Sequence, residues 1–367
     1  MIIGVHAGSQ INGLRTGVEE YIYQLSRSFS QLADAKKHTF IFYSKDGNIL
    51  DQSLIAKDNG PEAGRFVSKK LRWPFFWTQM RLSAECILNP PDVLFSPVQV
   101  PPLLTKVKTV ITVHGLEFLY FPDKYSAFNH SYLYWGTRAA LKKAAHIIAV
   151  SESTKADLIN YFNQDPTKIS VVYHGFSSPE KNTPSAHALD APYFIYIGRI
   201  ETKKNVDGLI QAFDMFKQRK GSDHQLMLVG KNGFGFDSIL KAAKESKSFK
   251  DVIFAGYLDE ESKWRLLRYA EALVFPSWYE GFGLPILEAQ ALGVPVICGN
   301  NSSMPEVAGQ GAIFVDVSSA DQIAEALDKI SSDKYLRRDI IDKGTDNSRR
   351  FSWEHCAQNT LQILTQI

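Results

Sequence analysis

The stretch Ala272-Leu273-Val274-Phe275-Pro276-Ser277-Trp278-Tyr279-Glu280-Gly281-Phe282-Gly283-Leu284-Pro285-Ile286-Leu287-Glu288 decides the fold of this chain. It opens on a short apolar run, crosses a loop that carries Gly281 and Gly283, and enters a helix with Pro285 in its first turn, a favoured place for proline. A continuous apolar run reads as a strand covered on both faces, as in a parallel sheet. The helix start behind it presents unpaired N–H groups and the positive end of the dipole, a ready site for a diphosphate. The glycines let backbone approach a ligand closely. Glu280, in the loop, is placed to accept hydrogen bonds from sugar hydroxyls. Glu288 lies four residues after Leu284 on the same helix face, within reach of ribose hydroxyls. On spacing alone, a glycine-rich turn with two solvated glutamates explains the stretch equally well.

Outward from it, short apolar runs keep alternating with amphipathic helical segments. Upstream come Tyr193–Ile200 then Val206–Lys217, Gln225–Val229 then Phe236–Ala243, and Val252–Ala255 then Glu260–Tyr269. Downstream come Pro295–Cys298, a turn at Pro305–Ala308, Ala312–Val315 and the helix Ala320–Ile330. This is the pattern of a doubly wound α/β domain. The first half is less regular, with strands at Ile2–His6, His38–Tyr43, Val93–Phe95, Val107–His114, Ile147–Val150 and Ile169–Tyr173. Helices fall across Val18–Leu32, near Ser131–Lys143 and at Thr154–Phe162. The polar, proline-bearing segment Ser177–Pro192 is the linker candidate. The expectation is two Rossmann-like α/β domains, residues 1–180 and 181–350, facing across a cleft at the carboxyl ends of their strands. Phe351–Leu364 reads as a further helix, and residues 351–367 are expected to pack back on the first domain.

A chain of 367 residues suits two such domains. A net charge of +2 without a basic tail argues against nucleic acid as a partner. Cys86, Cys298 and Cys356 are widely spaced with no C-x-x-C pair, which argues against disulfides and structural zinc and for a reducing cytoplasm. No apolar run approaches the about 18 residues that span a bilayer, so membrane contact is expected to be peripheral, at the inner face. The stretch Lys69–Arg81 mixes bases with aromatics, and reads either as a dock on an anionic membrane or as an amphipathic core helix with snorkelling bases.

The segment from Glu280 to Glu288 resembles the E-x7-E signature of the retaining glycosyltransferases of family 4, which have the GT-B fold, and the likeness runs on through Ala289–Ile297 and Ser302–Ala308. A second constellation agrees: after strand Tyr193–Ile197, Gly198-Arg199 and Lys204-Asn205 resemble the family's G-R…K-N pair, which neutralises the leaving diphosphate. Lys203 is adjacent to Lys204, and the role goes to Lys204 because it precedes Asn205. The resemblance implies that Gly281, Phe282, Gly283 and Leu284 hold the diphosphate and that the ends carrying Gly230 and Gly256 flank the base, with backbone near Tyr257 and Leu258 reading its edge. Gly17, in Gly13–Val18, resembles the family's N-terminal loop. Thr112-Val113-His114-Gly115 resembles its T-[IV]-H-D-L, with Gly115 in place of aspartate, and implies that His114 contacts the transferred sugar.

The implied activity is retaining transfer of a hexose from a nucleotide-sugar to a glycan or lipid-linked acceptor in cell-surface polysaccharide synthesis. UDP-glucose or another UDP-hexose is favoured, with GDP-mannose as the second choice. The sequence holds no D-x-D, so no metal and no cofactor are expected, and the diphosphate charge falls to Arg199, Lys204 and the helix start. Front-face displacement is the implied route, since double displacement needs a carboxylate nucleophile that the sequence does not reveal. A GT-B-shaped sugar-nucleotide epimerase and a non-catalytic nucleotide-sugar-binding protein are the alternatives. Gly230–Gly235 has the wrong spacing for a dinucleotide fingerprint.

Overall fold

The computed structural model describes residues 1–8, 17–45, 65–177 and 191–367. The chain divides into two compact units, Met1–Gly175 with Phe351–Ile367, and Phe176–Arg350. Gly13–Thr16 and most of the expected linker lie outside the described residues.

The first unit is built on a seven-stranded parallel sheet: β1 (Ile2–Gly8), β2 (Thr39–Ser44), β3 (Arg65–Lys70), β4 (Val93–Ser96), β5 (Thr109–Val113), β6 (His146–Ala149) and β7 (Ile169–Val171), in the order β3-β2-β1-β4-β5-β6-β7. β4 and β5 are buried at every position, as expected of strands covered on both faces. The helix Trp353–Gln366 starts at Ser352, whose side chain accepts a hydrogen bond from His355 N, a strong N-cap. It lays Cys356, Ala357, Leu361 and Leu364 into the same apolar cluster as Ile22, Leu25 and Phe29 of helix Gly17–Gln31. Each large apolar side chain so buried contributes about 1.5–3 kcal/mol.

Lys69–Arg81 is not one amphipathic helix. It runs from edge strand β3 through an irregular bend to the single wide turn Thr78–Leu82, and a short helix Ser83–Leu88 follows. Pro74 removes a helical N–H, and Phe76 takes φ +46°, both incompatible with a continuous helix. Lys69 Nζ and Arg81 converge on the buried Glu85 carboxylate, at 2.5 and 2.9 Å.

The second unit carries β8 (Tyr193–Ile197), β9 (Gln225–Val229), β10 (Val252–Gly256), β11 (Ala272–Phe275), β12 (Val296–Gly299) and β13 (Ile313–Val315), all parallel, in the order β10-β9-β8-β11-β12-β13. β8, β11 and β12 are buried throughout. A helix not expected from the sequence, Lys334–Ser348, is tied down by buried polar contacts: Asn347 Nδ2 donates to Gln290 Oε1 and to the Val307 carbonyl, both at 2.8 Å. In each sheet the strand order reverses once, between β1 and β4 and between β8 and β11. Ligands of open α/β sheets bind outside the carboxyl ends at such a switch point.

Candidate functional site

The switch point of the second sheet gathers most of the candidate residues. β8 ends at Gly198 and Arg199; the turn Thr202–Lys204 follows, and Asn205, at φ +55°, redirects the chain into helix Val206–Lys220. β11, beside β8, ends at the loop that carries Glu280. Lys204 Nζ lies 2.9 Å from Glu280 Oε1, with the two side chains only 16% and 13% exposed. The sequence expectation assigns these residues separate partners, a diphosphate and a sugar; in the structure they compensate each other. Of the two adjacent lysines it is Lys204 that reaches Glu280, while Lys203 Nζ lies 3.8 Å from the buried Glu201. Arg199 Nε is 3.8 Å from Glu201 as well, but the arginine side chain is 66% exposed and open to a ligand.

The Glu280 loop is held by its neighbours. Glu280 N donates to Ser302 Oγ at 3.0 Å, and Ser303 Oγ is within bonding distance of the Glu280 and Phe282 carbonyls, at 2.9 and 2.7 Å. Ser302 sits at φ +49°, a costly conformation for a residue with a side chain, and one that is kept where it fixes a functional loop. Gly281 and Phe282 then lead to Gly283, whose φ of +112° only glycine adopts readily, and to helix Leu284–Ala291 with Pro285 in its first turn. A diphosphate at this helix start would meet the positive end of the helix dipole and the two cations that follow β8.

Glu288, one turn into that helix, lies with its Oε1 3.2 Å from Lys263 Nζ. Lys263 comes from helix Glu260–Arg268 and was not singled out by the sequence, because nothing local links residues that far apart. Burial alone lowers the pKa of the Lys263 ammonium, but Glu288 and Glu260 outweigh it and hold the group above the ordinary lysine value.

The ends of β8, β9 and β10 interlock through their glycines. Gly198 N donates to the Val229 carbonyl at 2.9 Å and Gly230 N to the Gly256 carbonyl at 2.8 Å. Gly230 is at φ +150°, and a Cβ there would stand 1.8 Å from the Gly198 carbonyl oxygen, so no other residue fits. Tyr257 follows with its ring 51% exposed and Lys231 Nζ 4.8 Å from the ring centroid, a cation–π contact. Leu258, next in the chain, is partly buried.

In the first unit, Gly17 opens helix Gly17–Gln31. His114, just past β5, lies with Nε2 2.8 Å from the Pro97 carbonyl oxygen and Nδ1 3.3 Å from His174 Nε2. The Pro97 carbonyl can only accept, so His114 carries its proton on Nε2 and accepts a hydrogen bond at Nδ1 from His174 Nε2. The Tyr21 ring packs edge-on against both, at 4.9 and 4.7 Å between centroids. Burial lowers the His114 pKa to about 4, against a small opposing effect of the Pro97 bond. His6, to which the sequence reading assigns no role, lies in β1 two residues before its end, with Nδ1 3.0 Å from Ser96 Oγ at the other switch point, and burial likewise lowers its pKa to about 4. Cys86, Cys298 and Cys356 are free and buried.

Two Rossmann-like units, one of them gathering cations and carboxylates at the switch point of its sheet, define the class: an α/β fold of the GT-B type. Residues 177–347 match the family profile described as glycosyl transferases group 1, and residues 15–178 match that of glycosyltransferase family 4. The chain belongs to the family 4 glycosyltransferases. It is 29% identical over 263 residues to the O-antigen chain mannosyltransferase B of Escherichia coli, a match that covers 69% of each chain. It is 26% identical over 273 residues to the serotype-specific mannosyltransferase WbdA of Escherichia coli, covering 71% of this chain but only 34% of that one. Among solved structures, HepE of Anabaena in complex with UDP-glucose shares the fold along the whole of both chains, with a TM-score of 0.76 at 16% identity. These likenesses do not favour the epimerase or the non-catalytic alternative.

Proposed function

We propose that the protein moves a hexose from a nucleotide-sugar to a glycan or lipid-linked acceptor in cell-surface polysaccharide synthesis, with retention and without a metal ion. The observation that carries this reading is the Lys204–Glu280 pair, 2.9 Å apart at the switch point beside the helix start of Gly283. In this reading the diphosphate lies at Gly281–Leu284 and against Gly198 and Arg199, and draws Lys204 away from Glu280. The freed Glu280 carboxylate turns to the sugar hydroxyls. Glu288 accepts from ribose hydroxyls, while Gly230 and the backbone at Tyr257 and Leu258 flank the base. The bond from the anomeric carbon to the phosphate oxygen breaks, and the acceptor oxygen bonds to the same face. The departing phosphate takes the acceptor's proton, and Arg199 and Lys204 stabilise its charge.

For the donor, the relatives named as mannosyltransferases support mannose as the sugar, and GDP-mannose, the second choice from the sequence, is the donor we propose. Calorimetry with GDP and UDP tests the choice: binding of UDP with no response to GDP would restore the UDP-hexose assignment, and binding of neither would remove the nucleotide-sugar reading.

The site of action we assign to the cytoplasm, with peripheral contact at the inner membrane face. No helix among the described residues is long and apolar enough to cross a membrane. Trp73, Phe75, Phe76 and Met80 are 45–75% exposed beside Lys70 and Arg72, which supports a membrane dock. Lys69 and Arg81 are excluded from that role by their pairing with Glu85. Co-sedimentation with anionic liposomes should be lost in Phe75→Ser/Phe76→Ser; equal sedimentation of variant and wild type would contradict the assignment.

A further inference from the structure

We propose that Lys263 is a positioning residue for the donor: it fixes the Glu288 carboxylate in the orientation that accepts the ribose hydroxyls, and ties that carboxylate to the strand end that borders the base. The proposal rests on the assignment of Glu288 to the ribose made above.

Three observations carry it. First, the ammonium is in an unusual place. Lys263 is 15% exposed and bridges two carboxylates, Glu260 at 3.0 Å and Glu288 at 3.2 Å. Of these, Glu260 is 72% exposed and Glu288 14% exposed, so the contact with Glu288 is the sheltered one and the stronger in effect. Desolvating a lysine is costly, and an ion pair of this kind is weak evidence of stability by itself; its attested use is to fix geometry.

Second, the lysine stem is anchored. Its helix begins at Asp259, whose carboxylate accepts from Ser262 N at 2.7 Å, an N-cap that sets the first turn. The next residue, Trp264, is buried, and Lys263 Nζ sits 4.4 Å from its ring centroid. An ammonium held from three sides has little freedom to follow a moving partner. It is Glu288 that must conform to it.

Third, the helix leaves directly from the end of β10. Tyr257 and Leu258 precede the Asp259 cap, and Lys263 follows one turn later. One rigid element therefore connects the backbone beside the base to the carboxylate beside the ribose. Two donor contacts, one just past the end of β10 and one on helix Leu284–Ala291, are thereby set at a fixed spacing, as preorganised binding requires.

The role is distinguished from a purely structural one by the ribose itself. Calorimetry on the full chain compares GDP and UDP with their 2′,3′-dideoxy counterparts, for wild type, Lys263→Met, Lys263→Arg and Glu288→Gln. The wild type should prefer the ribonucleotide about tenfold or more, the scale of hydrogen bonds to a charged acceptor. Lys263→Met should bind the ribonucleotide about tenfold more weakly and the dideoxynucleotide within about twofold of wild type, and Lys263→Arg should restore most of the preference. Equal weakening for both nucleotides, or no weakening, would overturn the proposal. If Glu288→Gln loses the preference while Lys263→Met keeps it, the ribose assignment stands and the role of Lys263 falls. If Glu288→Gln keeps the preference, the ribose assignment falls and the proposal with it. Should Lys263→Met not fold, Lys263→Gln carries the same comparison.

Discussion

Replacing Lys204 by methionine separates the chemistry of the site from its packing. The ammonium that the variant loses stands 2.9 Å from Glu280 in a pair that is only 16% and 13% exposed. Breaking a fully buried pair by removing one partner costs about 3–5 kcal/mol, and the residual exposure here reduces that to about 1–3 kcal/mol. For a unit of this size that lowers the melting temperature by about 2–4 °C per kcal/mol. The effect on turnover is larger. In the variant the diphosphate arrives beside a bare carboxylate, with Arg199 as the remaining cation of the pair. Loss of one charge-stabilising contact costs about 10²–10³ in kcat. The double variant Lys204→Met/Glu280→Gln removes the uncompensated charge, so it should recover most of the melting temperature and none of the turnover. Differential scanning fluorimetry and donor-consumption kinetics read the two effects separately. If turnover returned together with stability, or Lys204→Met turned over near the wild-type rate, the pair would be structural and the assignment refuted.

Two further outcomes follow from the geometry. Gly230→Ala would place a Cβ 1.8 Å from the Gly198 carbonyl oxygen at φ +150°, a backbone clash that no rotamer relieves, so the second unit should become protease-sensitive at temperatures where wild type resists; wild-type resistance would contradict the packing of β8 against β9. An unfolded histidine binds its proton near 6.5, whereas burial holds that event near 4 for His6 and His114 in the fold. Between those values the unfolded chain carries more protons, so stability should fall as pH is lowered from about 6.5 towards 4, by up to about 1.4 kcal/mol per pH unit for each histidine. Urea unfolding at pH 7.5 and 5 measures it, and His114→Asn should show a shallower pH dependence than wild type.

Much of this was legible in the sequence where local signals and burial coincide. Ala272–Phe275 is apolar because β11 is covered on both faces, and the change to Gly281, Gly283 and Pro285 marks the turn into the helix. What stayed hidden has physical reasons. β3 is an edge strand with a half-exposed face, so Arg65–Lys70 lacks the apolar run that betrays an inner strand. Helix Lys334–Ser348 is highly charged and fully buries only Ile340 among its large apolar side chains, which leaves no apolar stripe to read. Lys263 and Glu288 meet only through the tertiary fold, as do His6 and Ser96, and no spacing in the chain encodes either pair.

The central claim is that the Lys204–Glu280 site cleaves a nucleotide-hexose with retention and without a metal. Time-resolved proton NMR of GDP-mannose and UDP-glucose hydrolysis, in EDTA, tests it most directly, because the first anomer released is seen before mutarotation. The account predicts that one donor is consumed, that the α-hexose appears first, and that Lys204→Met abolishes the signal. Release of the β-anomer first, or activity that disappears in EDTA and returns with added manganese, would contradict it.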